Sequence, residues 1–152
     1  MMSISRRLHR RNGERGTSIV ELTLLLPVLV SLFLGTWFIG YSAYRYSELE
    51  QAVRSGSRYA SHGVYITSNP TAYTSAVQNA TVYGDPAGGT TPVVPNLTPA
   101  MVRVNLLPAA GTPLAVAVSI SGYKVWGPFG NPIFLGGKPR VELPFMGYYV
   151  PF

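Results

Sequence analysis

Residues 15–45 read RGTSIVELTLLLPVLVSLFLGTWFIGYSAYR, and the rest of the chain takes its meaning from this stretch. After Glu21, the twenty-three residues Leu22–Tyr44 carry no formal charge. A helix of that length spans about 34 Å, enough to cross a hydrocarbon core of about 30 Å. Leu24, Leu25, Leu26, Val28, Leu29, Val30, Leu32, Phe33 and Leu34 cover every face of such a helix. A helix that is apolar all round is buried in lipid or in a large assembly. Trp37, Tyr41, Tyr44 and Tyr46 gather at its far end, where aromatic rings suit the headgroup region. Pro27 removes one backbone hydrogen bond and predicts a kink or local loosening, which membrane helices tolerate. Gly35 and Gly40 lower the helix propensity further.

Upstream, Met1–Gly16 is short, polar and basic, with Asn12-Gly13 as a turn signal. It is expected to lie outside the fold. Arg6, Arg7, Arg10, Arg11 and Arg15 against Glu14 supply four of the six net positive charges; the remainder of the chain has seven basic residues against five acidic. An arginine-rich end alone suits nucleic acid. Placed directly before a membrane-length run, it instead marks the flank held in the cytoplasm, and no nucleic-acid partner is expected.

Downstream, Leu49, Ala52, Val53, Gly56 and Ala60 keep three- and four-residue spacing and predict an amphipathic continuation to about His62. Glu50 and Arg54 stand four apart in the favourable order. Arg54, Arg58 and His62 suit a helix C-terminus, and Gly63 is the expected cap. A helix continuous from Gly16 to His62 would be about 70 Å long.

The remaining residues, about ninety of the 152, are enough for a single small core. Twelve of the thirteen prolines fall after Ser68, which excludes a helix bundle there and predicts short strands and loops. One short helix is expected over Thr71–Val82, with Pro70 at its start and Tyr73, Val77 and Ala80 on one face. Gly84–Gly89 reads as a loop, and Thr90–Pro99 as irregular. Met101–Leu107 and Leu114–Val125 alternate as strands joined by a hairpin loop at Pro108–Pro113. Shorter strands are expected around Ile133–Leu135 and Arg140–Phe145. The aromatic tail Phe145–Phe152 is expected to pack back onto the sheet rather than to form a contact surface. The fold class is therefore α+β: a long N-terminal helix, then a domain of one short helix and an antiparallel sheet. Its divisions are a leader 1–16, a transmembrane helix 17–44, an extracytoplasmic continuation 45–63 and a small domain 64–152.

Chemistry is sparse. The chain has no cysteine, which excludes a disulfide framework, a thiolate metal site and a cysteine nucleophile. Beyond the long helix the only carboxylates are Asp85 and Glu142. No catalytic residue, metal site or cofactor is expected, and an enzyme is not. Gly136-Gly137-Lys138 reads as a turn rather than a phosphate loop. Asn79-Ala80-Thr81 and Asn96-Leu97-Thr98 fit a glycosylation pattern that is common by chance.

Glu21 has two readings. Locally, Ser18 and Glu21 form a capping box, S-x-x-E, at a helix start. Electrostatically, a carboxylate at the edge of a lipid-buried segment is costly unless paired, and such residues mark function.

The junction G-T-S-I-V-E from Gly16 to Glu21, a basic leader before it and an apolar helix after it resemble the class III signal of type IV pilins and pseudopilins. R-G-T-S-I-V-E-L-T-L-L-L-P, with Pro27 six residues after Glu21, together with A-V-R-S-G-S-R-Y-A from Ala52 to Ala60, resembles the TadE-like family, minor pseudopilins of the Tad (tight adherence, Flp-type) pilus. The resemblance covers about Arg15–Ala60 and is looser beyond. It implies cleavage by a prepilin peptidase between Gly16 and Thr17, and a new amine on Thr17 one turn from Glu21. That amine, or a neighbouring subunit's, would pair with Glu21 during assembly. The implied partners are membrane lipid, the prepilin peptidase, other pilins and pseudopilins of the system, and its inner-membrane assembly platform. The implied location is the bacterial inner membrane, N-terminus cytoplasmic and domain periplasmic, with incorporation into a pilus. Major Flp pilins are very short, so the downstream domain argues for a minor subunit. Val30, Phe33, Gly35 and Gly40 are candidate helix contacts. Two alternatives stay open: an uncleaved single-pass anchor carrying a small binding domain, and a secreted protein whose apolar run is an overlong signal peptide.

Overall fold

A computed structural model describes the backbone of residues 11–108, 113–126, 132–134 and 136–151, and side chains at 18–108, 113–126 and 136–151. Helix α1 runs from Arg11 to His62 with Pro27 inside it. It begins upstream of the expected Gly16, so Asn12-Gly13 is helical rather than a turn. Arg11, Glu14 and Arg15 are good helix formers, and adding turns to an existing helix is far easier than nucleating one. Ser18 consequently stands inside the helix and not at its N-cap, and the capping-box reading of Glu21 does not hold in the intact chain. The rest of the leader lies outside the described residues.

The chain divides into two compact units, Met1–Gly40 and Tyr41–Phe152. In the first, the apolar side chains from Ile19 to Ile39 are predominantly exposed. The best 18-residue window has a mean hydropathy of 2.2, and none of it is buried within the protein. By length and composition this is one helix able to cross a membrane. Its hydroxyls turn inward on the backbone: Thr23 Oγ1 donates to Ile19 O at 2.8 Å, Ser31 Oγ to Pro27 O at 2.7 Å and Thr36 Oγ1 to Leu32 O at 2.9 Å. Those bonds let polar side chains sit in lipid without an unsatisfied donor.

The second unit is an α+β domain built on the last turns of α1. The predicted stripe is its inner face: Leu49, Ala52, Val53, Gly56 and Ala60 are all buried. Helix α2, Pro70–Tyr83, crosses that face with Tyr73, Val77 and Ala80 buried as expected. Asn69 caps it by accepting from Ala72 N at 3.2 Å, and Gly84 closes it in the left-handed conformation. At the crossing, a Cβ on Gly56 would collide with Thr81 Oγ1 and lie 2.9 Å from Thr81 Cβ. Only glycine lets the two helices meet this closely.

Strands β2 (Val102–Leu107), β3 (Ala115–Ile120) and β6 (Arg140–Pro144) form an antiparallel sheet in the order β2-β3-β6. The expected β2–β3 hairpin forms, with Val104 opposite Val118 and Leu106 opposite Val116. Central strand β3 buries Val116, Val118 and Ile120 on one face and Ala117 on the other. Gln78 Nε2 donates to Val102 O at 3.1 Å and ties α2 to this sheet.

Three further features depart from expectation. The predicted strand Leu114–Val125 is two strands: β3 ends at Ile120, Gly122 turns the chain at φ 80°, and β4 (Lys124–Trp126) pairs instead with β5 (Pro132–Phe134). The tail does pack back, as strand β7 (Tyr148–Val150), but in parallel against β1 (Val64–Ile66), a strand not anticipated. Gly63 does not adopt a left-handed cap. The last carbonyls of α1 are met by distant residues instead. Tyr73 Oη donates to Ala60 O at 2.6 Å, and Met146 N donates to Ser61 O at 2.7 Å.

Candidate functional site on the long helix

Gly16 and Thr17 lie within α1, as do Glu21 and Pro27. Thr17 and Glu21 are four apart on one helix, hence one turn apart on one face. The Glu21 side chain is exposed. Pro27 has no N–H, so the Thr23 carbonyl lacks its i+4 donor while the helix continues past it. A Cβ added at Gly35 or Gly40 would meet nothing within 4 Å, leaving open faces where another helix could approach closely.

A cluster at the start of the second unit was not singled out from sequence. Arg45, the first charge after the apolar run, donates from Nε to Tyr41 Oη at 2.9 Å and from Nη1 to Glu48 Oε2 at 2.7 Å. Its guanidinium carbon lies 5.1 Å from the Tyr41 ring centre and 6.0 Å from that of Tyr44, within cation–π range. The Tyr41 hydroxyl first, then Glu48, hold Arg45 even more firmly protonated than usual. For Glu48, burial is the largest influence and acts upward; Tyr44 and Arg45 together outweigh it and leave the carboxyl below its ordinary range. The signal was present in the spacing: Tyr41, Arg45 and Glu48 recur at four and three residues on one face.

Further along, Arg54 pairs with Glu50 at 2.5 Å and Arg140 with Glu142 at 3.2 Å beside an open groove of about 650 Å³ also lined by Arg58. Both pairs are substantially exposed, so each stabilises the fold by only a few tenths of a kcal/mol. Among the described residues, no group of three His, Asp or Glu side chains is placed to hold a metal ion. Thr81 is buried and donates to Val77 O at 2.8 Å, while Asn79, the acceptor of the Asn79-Ala80-Thr81 pattern, is half-buried.

The unbroken helix carrying the junction, Pro27 and the Ala52–Ala60 stripe is the frame on which the family comparison falls. Residues 16–58 match the family described as TadE-like protein. This TadE-like segment begins at Gly16 and ends within α1, so it contains the junction, the apolar run and most of the buried stripe. It suggests a Tad pilus-associated protein, and the one apolar helix fits a single-pass membrane anchor. No curated protein and no solved structure matches the chain.

Proposed function

We propose that this chain is a minor pseudopilin: cleaved by a prepilin peptidase between Gly16 and Thr17, held in the inner membrane by its apolar helix, and assembled into or beneath a Tad pilus through that helix. The observation that carries this reading is the junction Gly16–Glu21, placed at the head of a TadE-like segment that is also the membrane-length helix. The leader flank stays in the cytoplasm, and the domain lies outside it. Glu21 supports the reading too. Without a capping role in the intact chain, its carboxylate stands beside an apolar helix with a charge to neutralise. Cleavage generates an α-amine on Thr17, one turn away. In an assembly, the amine of a neighbouring subunit meets Glu21 and fixes the stagger between helices. Gly35 and Gly40 then allow close helix approach.

The test is intact mass of the membrane-extracted protein, with and without a co-expressed prepilin peptidase. The expected product begins at Thr17, depends on the peptidase and disappears with Gly16→Leu. A chain that retains its leader beside active peptidase is an uncleaved anchor, and a cut beyond Gly40 marks a secreted protein.

A further inference from the structure

The antiparallel sheet ends at β6, which pairs on one side only, with β3. Just beyond the paired residues, Ile120 N donates to Pro139 O at 3.2 Å and Phe145 N to Leu114 O at 2.9 Å. Successive residues of an antiparallel strand point their backbone groups alternately toward and away from the partner. Val141 and Leu143 therefore turn their N–H and C=O groups toward β3, in step with Pro139 and Phe145. Arg140 and Glu142 turn theirs away, as does the Pro144 carbonyl, and these groups meet no further strand among the described residues.

The open groove of about 650 Å³ runs along this edge, lined by Arg140, Val141 and Leu143 of β6 and by Glu50, Arg54 and Arg58 of α1. That volume is in the range of binding clefts, and the five residues of β6 span about 17 Å. Its charge is unbalanced. Arg54 is paired with Glu50 and Arg140 with Glu142. The Arg58 guanidinium has no ion pair or hydrogen bond among the described residues. Charges and a proline on an edge strand discourage indiscriminate pairing, so a segment that joins β6 must match its charge. A second copy of β6 would bring one arginine and one glutamate and leave Arg58 unanswered. The chain's own Met1–Arg10 is basic and has the wrong sign. We propose that an extended, acidic segment of another protein adds to this sheet as a strand beside β6. Its backbone bonds to Arg140, Glu142 and the Pro144 carbonyl, a carboxylate meets Arg58, and apolar side chains contact Val141 and Leu143. The proposal rests on the folded second unit alone and holds whether or not the chain enters a pilus.

Titrating the full detergent-extracted chain with a short blocked peptide of alternating valine and glutamate tests it, with amide exchange read residue by residue. The peptide should slow exchange at Arg140 and Glu142 and leave Val141 and Leu143, already bonded to β3, unchanged. A peptide with lysine in place of glutamate should act only weakly. Arg58→Gln, at an exposed position, should raise the half-saturating concentration about tenfold, as for one charge-assisted bond. Unchanged exchange at Arg140 and Glu142 overturns the proposal, as does an equal response to the lysine peptide or an unaltered titration of Arg58→Gln. Protection of the same two amides that rises with protein concentration and needs no peptide also overturns it, and makes β6 an interface between copies of this chain.

Discussion

Gly56 shows how a single position can join the folding of the domain to the helix that anchors it. It belongs to the buried stripe and to the TadE-like segment, and its missing side chain is the space occupied by Thr81. Gly56→Ala raises helix propensity by about 1 kcal/mol, yet the added methyl cannot fit unless α1 and α2 separate. Overpacking of this kind costs about 1–3 kcal/mol. The variant is therefore expected to melt below the wild type despite its better helix former. Adding Thr81→Ala, which removes the nearest atom, should restore part of the loss. Thermal unfolding of both variants in detergent checks this, and a Gly56→Ala protein as stable as the parent would show that the crossing is looser than described. Ser57, beside it, is fully buried with no hydrogen-bond partner for its hydroxyl among the described residues; nothing in the structure explains why a serine stands there. The stripe itself was legible because helical spacing announces burial. That its glycine is a contact was not, since this depends on Thr81, twenty-five residues away in sequence.

At the scale of elements, what was readable depended on having enough residues to show a period. Helices α1 and α2 and the β2–β3 hairpin each run long enough for a 3.6- or 2-residue rhythm to declare itself. Strand β1 is only three residues, Val64–Ile66, too few for any period. Its partner β7 is equally short, and their parallel pairing joins segments more than eighty residues apart. The alternation at Leu114–Val125 misled for a different reason: its phase slips at Gly122, from Val116, Val118 and Ile120 to Tyr123 and Val125, and the left-handed turn there sends Lys124–Trp126 to a different sheet. The β1–β7 pair has a definite role. Tyr65 stacks on Tyr149 at 6.2 Å and meets Tyr73 edge-on at 5.3 Å. Through Tyr73 Oη and Met146 N, the same region satisfies the end of α1. Deleting residues 148–152 should leave β2, β3 and β6 protected from amide exchange while the β1 amides and the last turn of α1 lose protection. Unchanged exchange at Tyr65 and Ile66 would show that β7 is dispensable to this corner.

Across the whole molecule, the family match and the folded domain divide the chain unevenly. The TadE-like segment stops at residue 58, and the sheet that follows carries no match that names a partner. The function legible in sequence is therefore that of the helix, and its one chemically demanding residue is Glu21. A carboxylate bordering a lipid-buried segment is tolerated when it reaches water or a positive partner. On the proposed reading, a single cleaved chain lets it snorkel or meet its own Thr17 amine, and an assembly draws it deeper to the amine of a neighbour. Replacing it should therefore separate insertion from assembly. Glu21→Ala is expected to insert at normal abundance and to be cleaved at Thr17, because neither step needs the charge pair. It should fail to co-purify or cross-link with other pilins of the system. Glu21→Asp, with the charge kept on a shorter arm, should recover part of the cross-linking. The comparison is made on one membrane preparation, with N-terminal mass for processing and cross-linked yield for assembly. If Glu21→Ala cross-links as well as the parent, the carboxylate does not set the stagger between helices, and register must come from the packing of Gly35, Gly40 and the apolar faces around them.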